Sequence, residues 1–390
     1  MVFEATGKAV SKQGVRNMDT MLIGVGAPAP WWAAWWFCAV VGMGAHFGPW
    51  SSLRAFQERV LGNTAPVEPD VKDTWWGIEN SKYFKELGVN LDELKGFYIK
   101  KLSIPFGKFR IPPKELEETL PQQILMLQVV ADALENVRSA ADLSKEQIGK
   151  IRLRTGVFVG TGLDLNTTNF SFRWLIQKKA RQWADELGLQ LTDQEFQKWV
   201  RDLRESFCPP LTANRTVGAL GGIVASRVAR EFHVGGPSFA LSSEESSGLR
   251  ALEVAVRALR LHDIDQAIVG AVDLGGDIRA ILTTHALRPF SSGNTTLPFG
   301  ADADGSVPGE GAAAVILKRL SDAQKDEDRI YAVIQGIGAA SGVNHYHTTE
   351  GAYTEALDRA YRTTGIEPAT VSYIETHGSG FPHEDRIEEA

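Results

Sequence analysis

Two adjacent carboxylates, Glu244 and Glu245, stand where a glycine- and serine-rich turn runs into an amphipathic helix. The stretch reads Gly236-Pro237-Ser238-Phe239-Ala240-Leu241-Ser242-Ser243-Glu244-Glu245-Ser246-Ser247-Gly248-Leu249. Leu249, Leu252, Val256 and Leu259 then recur at three- and four-residue spacing, which predicts a helix with one apolar face. A carboxylate at its head meets the positive end of the helix dipole, a placement worth about 0.3–1 kcal/mol, and can cap backbone N–H groups. A second reactive group is His377, in Glu375-Thr376-His377-Gly378-Ser379-Gly380; imidazole is the side chain best suited to moving a proton near neutral pH. Asp304 and Glu310 lie in and just beyond a loop rich in Gly, Asp and Pro, where ordering the loop by hydrogen bonds is the plain reading. His345 and His347 have no third ligand in evidence, so no metal site is expected. Gly160-Thr161-Gly162 lacks the glycine spacing and distal acidic residue of a dinucleotide fingerprint.

The elements that must position these groups alternate short β-rich runs with amphipathic helices, the pattern of an α/β protein. Strands are predicted at Cys38–Gly44, Gly156–Gly162, Ala267–Val272, Ala312–Leu317, Tyr331–Ile337 and Val371–Glu375. Helices are predicted from Thr119-Leu120-Pro121-Gln122-Gln123 onward, with Pro early in the first turn, over Trp174–Trp199 with a C-cap at Gly188, over Asn214–Phe232, and over Gly351–Tyr361. Val67–Pro113 is polar, aromatic and irregular, as in an insertion over one face. Residues 1–35 read as a leader or linker.

At 390 residues the chain can bury a large core, and 43% hydrophobic with 23% charged residues describes an ordinary globular protein. A net charge of −7 argues against nucleic acid as a partner. Two cysteines, Cys38 and Cys208, make no disulfide framework and fit a cytoplasmic location. No Asp, Glu, Lys or Arg occurs between Asp19 and Arg54. Gly24, Gly26, Pro28 and Pro30 on one side, and Gly42, Gly44, Gly48 and Pro49 on the other, break that run, so no membrane span is expected.

Several motifs, in order and at plausible spacing, resemble the β-ketoacyl synthase family. Val40-Val41-Gly42-Met43-Gly44 looks like its first strand. Phe109-Arg110-Ile111-Pro112-Pro113 followed by Leu120-Pro121-Gln122-Gln123 is similar to its Phe-x-Ile-x-Pro … Asp-Pro-Gln-Gln block. Arg288-Pro289-Phe290, Phe299–Gly305 and Gly309-Glu310-Gly311 resemble its acidic loop, and residues 375–380 match Glu-Thr-His-Gly-Thr-Gly. The family's nucleophile turn ends Asp-Thr-Ala-Cys-Ser-Ser-Ser-Leu. With Gly236-Pro237-Ser238 and Leu249 as anchors, the acyl-accepting Cys falls on Glu245. Ser243 stands for the motif's Thr, and Pro308 for an Arg that many members carry.

The resemblance, from about residue 36 to the end, implies a thiolase-like layered fold of two similar α/β halves, about 36–235 and 236–390. The family's second histidine would lie beyond Ala390, so the C-terminal half is expected to be truncated and the chain to be part of a larger synthase. His377 matches the first catalytic histidine, while Phe299, Thr376 and Gly378 fall at substrate-binding positions. An acylated carboxylate is a hydrolysable anhydride and no thioester, so Glu245 is expected to be inactive, and Cys208 lies too early in the chain to replace the nucleophile. The segments Trp75–Ser81 and Asp164–Phe170 look most like polyunsaturated fatty acid synthases. The expectation is therefore a chain-length-factor-like partner of an active ketosynthase in a polyketide or polyunsaturated fatty acid synthase, on an acyltransferase scaffold. It would bind no cofactor directly and meet the phosphopantetheine of an acyl carrier protein, as a heterodimer with a ketosynthase or as a homodimer. The alternatives are a malonyl-carrier-protein decarboxylase and an active β-ketoacyl-carrier-protein synthase.

Overall fold

The computed structural model describes residues 18–24, 36–62, 65–75, 77–105, 107–137, 144–162, 164–342 and 349–390. The pair His345 and His347 lies outside the described residues. Among the described residues, seven strands form one mixed sheet: β1 (Met18–Gly24), β2 (Cys38–Phe47), β3 (Thr155–Thr161), β4 (Ser238–Leu241), β5 (Gln266–Asp273), β6 (Gly311–Arg319) and β7 (Ala332–Ala340), in the order β1-β7-β2-β6-β5-β3-β4. β3 runs parallel to β4 and β5, and β6 runs antiparallel to β5 and β2. Every residue of β2, β3 and β6 is buried, which explains their unbroken apolar runs: both faces of this sheet are covered.

On one face lie α1 (Pro121–Glu135) and, beyond the exposed hairpin of α2 (Asn169–Glu186) and α3 (Asp193–Phe207), α4 (Ile223–Phe232); on the other lies α5 (Ser247–Arg260). Pro121 sits in the first turn of α1 as predicted, but the helix is buried nearly all round, with Leu125, Met126, Val129 and Ala133 as inaccessible as Leu127 and Val130. α6 (Ile278–Leu287) leads from β5 into the acidic loop. α7 (Glu350–Thr364) packs on β7 and β1, and α8 (Pro382–Glu389) ends the chain.

Several expectations need correction. Met18–Gly24, inside the supposed leader, is an edge strand paired antiparallel with β7 from Met18↔Ala340 to Gly24↔Val333. A division between halves at 235/236 would separate β3 from its parallel neighbour β4; strands β2 to β6 form one continuous part of the sheet, which closes only at Arg319. Asn214–Phe232 is broken at Ala219–Gly222, where Gly221 and Gly222 weaken the helix. Val371–Glu375 is no strand: among the described residues no neighbour pairs with it, and Tyr373 and Ile374 are exposed. Gly188 does end α2, in the left-handed conformation (φ 64°).

The sheet presents the carboxy ends of β3, β4 and β5 together, and the turn that leads into α5 leaves from β4. β3 passes so close to the head of α5 that a Cβ at Gly160 would collide with the carbonyl carbon of Ser247. A Gly160→Ala variant must therefore push the turn away from the sheet, and thermal unfolding should show it less stable by about 1–3 kcal/mol, the usual cost of overpacking.

Candidate active site

Serine hydroxyls build the turn ahead of α5. Ser247 Oγ accepts from the Ser243 N–H at 2.8 Å and donates to the Glu244 carbonyl at 2.6 Å, while Ser246 Oγ donates to the Ser243 carbonyl at 2.9 Å. This web holds Glu244 at φ 51°, a conformation that costs a non-glycine residue free energy and concentrates at functional sites. Glu245 follows, immediately before Ser246, the N-cap of α5, with its side chain 13% exposed. The space in front of it is a cavity of about 20 Å³ lined by Gly160, Gly162, Ser247, Gly248 and Asp273 among others, room for about one water molecule.

The charge of Glu245 is compensated. Arg288, at the end of α6, brings Nη1 to 3.7 Å from Glu245 Oε1 and Nη2 to 2.7 Å from Glu384 Oε2. Its guanidinium also stacks over the Phe381 ring, 4.4 Å from the centroid. The bond to Glu384 is a charge-assisted hydrogen bond; the contact to Glu245 is an ion pair at longer range.

α8 gathers the remaining site segments through three carboxylates. Glu384 takes Arg288. Asp385 accepts from the Phe299 N–H at 2.9 Å and the Gly380 N–H at 3.3 Å, and Glu388 accepts from the His377 and Gly378 N–H groups, each at 2.8 Å. Phe299 is held at φ 59° with an exposed ring, and Gly378 at φ 53° packs against Pro298, where a Cβ would stand 3.2 Å from the proline Cβ. The structure therefore brings Phe299, Thr376, His377 and Gly378 into one cluster and joins Glu245 to it through Arg288.

Glu310 is a structural clamp. Its buried carboxylate pairs with Lys72 and accepts from the Ile99 and Gly276 N–H groups, each at 2.9 Å, pinning the 67–113 insertion to the loop after β5. Trp75 adds a hydrogen bond to the Gly276 carbonyl at 2.9 Å. Asp304 orders its loop by accepting from the Ser292 N–H and hydroxyl at 3.0 and 2.7 Å. Neither cysteine lines the cavity at Glu245. Cys208 caps the end of α3, and burial pushes the Cys38 thiol up to about 11.

The sequence reading missed Glu384, Asp385 and Glu388, although Pro382 followed by acidic residues is a helix-start signal. It also missed Asp273, at the end of β5 on the wall of the cavity, and gave Arg288 no role.

These residues sit in a known scaffold. The profile of the β-ketoacyl synthase N-terminal domain matches residues 38–323 and that of its C-terminal domain residues 331–390; the chain belongs to the β-ketoacyl synthase family. Similar proteins include polyketide synthase PksM of Bacillus subtilis, 28% identical over 90% of this chain and 8% of its own length. A polyunsaturated fatty acid synthase polypeptide of Thraustochytrium is 25% identical over 90% of this chain and 12% of its length. A phenolphthiocerol/phthiocerol polyketide synthase polypeptide of Mycobacterium tuberculosis is 32% identical over 90% and 17%. The chain thus spans only a small part of each. Among solved structures, the PfaC keto synthase-chain length factor superposes with a TM-score of 0.72 at 25% identity, over 90% of this chain and 36% of that one. An oxazolomycin ketosynthase domain of Streptomyces albus gives 0.69 at 24%, over 90% and 56%. The fold is thiolase-like. Among the described residues, no helix is long and apolar enough to cross a membrane.

Withdrawal from water, with Glu310, Asp164 and Glu245 nearby, raises the Asp273 carboxyl from its ordinary 3.8 to about 7. The folded state therefore keeps a proton that the unfolded chain loses near 3.8. Stability must fall as pH rises between about 4 and 7, with the full penalty present above that window. Asp273→Asn should match wild type near pH 4, gain on it through this range and hold a constant advantage above it, as read from urea midpoints against pH.

Proposed function

We propose that this chain is a chain-length-factor-like, condensation-incompetent ketosynthase homologue, pairing with an active ketosynthase and shaping the tunnel for the growing acyl chain. The observation that carries this reading is Glu245 in the nucleophile's place, seated on Arg288 while the surrounding loops remain assembled. Condensation needs a thiolate that forms a thioester and then releases the acyl group to an enolate. A carboxylate can offer only an anhydride, which water would cleave.

The space before Glu245 has no room for an acyl chain, which suits a tunnel completed by a partner. Among the described residues β4 is the last strand of the sheet, and Phe239 on it is exposed, packed edge-on against Phe158 at 5.2 Å. A sheet edge with an exposed aromatic suits pairing with a second protein, either a ketosynthase or another copy of this chain. The phosphopantetheine arm in this scheme belongs to an acyl carrier protein and approaches the loops of Phe299 and Thr376. A cytoplasmic setting remains part of the proposal.

The retained His377 supports a second reading, decarboxylation of a malonyl-carrier protein, in which the imidazole would stabilise the enolate. Arg288 offsets part of the charge by which Glu245 would repel the malonyl carboxylate.

Incubation with acyl- and malonyl-carrier protein separates these readings. The partner role expects no acyl adduct by intact mass and carbon dioxide release at the level of a protein-free blank. Release above the blank would establish the decarboxylase instead, and an acyl adduct would overturn both.

A further inference from the structure

We propose that Arg288 is the anion-binding residue of this site and that Glu245 is its internal ligand, so that shortening residue 245 creates a binding site for a small carboxylate. The inference rests on the placement of Glu245 in the nucleophile turn and needs no partner protein.

The geometry carries it. A guanidinium presents a fork of N–H donors that can serve two carboxylates at once. Here Nη2 is committed to Glu384 at 2.7 Å, while Nη1 faces Glu245 at 3.7 Å, beyond hydrogen-bond length. Glu384 lies on α8, whose Phe381 ring stacks on Arg288; Glu245 makes the longer of the two contacts. The head of α5 supplies the second attraction for an anion at this place. Asp273 and Glu384 oppose it, so the site should take a single negative charge and reject a doubly charged ligand.

Size sets the ligand. Truncating Glu245 to alanine removes Cγ, Cδ and the two carboxylate oxygens, and acetate replaces these atoms one for one. In the wild-type chain the same place is filled by its own side chain, so a malonyl carboxylate finds Arg288 already engaged. Glu245 thus does more than lack nucleophilicity: it closes the site to the class of substrate that a condensing enzyme must admit.

The test is thermal unfolding of the full chain in acetate against chloride at equal ionic strength, near neutral pH. Glu245→Ala should melt below wild type and regain about 1–2 °C in acetate at several times its dissociation constant. Wild type and Glu245→Gln, whose sites stay filled, should not respond, and the Glu245→Ala/Arg288→Met double variant should lose the response. Should Glu245→Ala fail to unfold cooperatively, Glu245→Ser opens the same space within a turn already built of serines. Saturation transfer from protein to the acetate methyl then gives a second readout. An acetate effect that is absent in both truncations, or that persists without Arg288, overturns the proposal. Either result leaves the condensation-incompetent reading standing, because that reading is decided by the acyl adduct.

Discussion

The site is held together by the guanidinium of Arg288, placed between two carboxylates that come from distant parts of the chain. One is Glu245, in the turn between β4 and α5; the other is Glu384, on the last helix. Without this cation two acidic side chains would be left poorly solvated and close to each other, a placement that strongly favours loss of one charge or separation of the loops. With it, the nucleophile turn and the His377 segment belong to one electrostatic unit. Phe381 completes the arrangement by covering the flat face of the guanidinium, where hydrogen bonds cannot form.

α8 extends the same principle to the backbone. A helix of eight residues would be marginal alone, yet its carboxylates satisfy N–H groups at Phe299, His377, Gly378 and Gly380. Phe299 has a positive φ that a non-glycine residue seldom adopts, while Gly378 and Gly380 take theirs without that cost. Charged acceptors aimed at backbone donors supply the stabilisation that local propensity withholds. The loops are therefore fixed by carboxylates that engage their backbone N–H groups.

Much of this fold was legible in the sequence because it depends on local signals. The apolar runs of β2, β3, β5 and β6 and the spacing of Leu252, Val256 and Leu259 in α5 announced their elements directly. The close approach of the β3 backbone at Gly160 to the head of α5 had no such local signal. Motif order then indicated the family and located Glu245, His377 and Phe299. What stayed hidden depends on pairing across long sequence distances. Arg288 lies 43 residues from Glu245 and 96 from Glu384, and nothing local marks it as their partner. Met18–Gly24 failed to read as a strand because an edge strand takes its order from its neighbour, here β7. Val371–Glu375 failed in the opposite sense, since β-rich composition makes no strand without a neighbour to receive its hydrogen bonds.

In the proposed reading, residue 245 marks a change of tenant in a site whose walls are preserved. A thiolate and a carboxylate share a need for positive surroundings, and the helix head with Arg288 provides them. They differ in reach and in chemistry. Glutamate extends its charge farther from the backbone, and one of its oxygens comes to 3.7 Å from the Arg288 guanidinium. Any acyl group offered to the turn would have to displace that ion pair, and would gain from the carboxylate only an unstable anhydride. An anion on a helix head beside a guanidinium is stabilised by the same surroundings whether or not it reacts. The interactions that hold this carboxylate are the same ones that hold the fold.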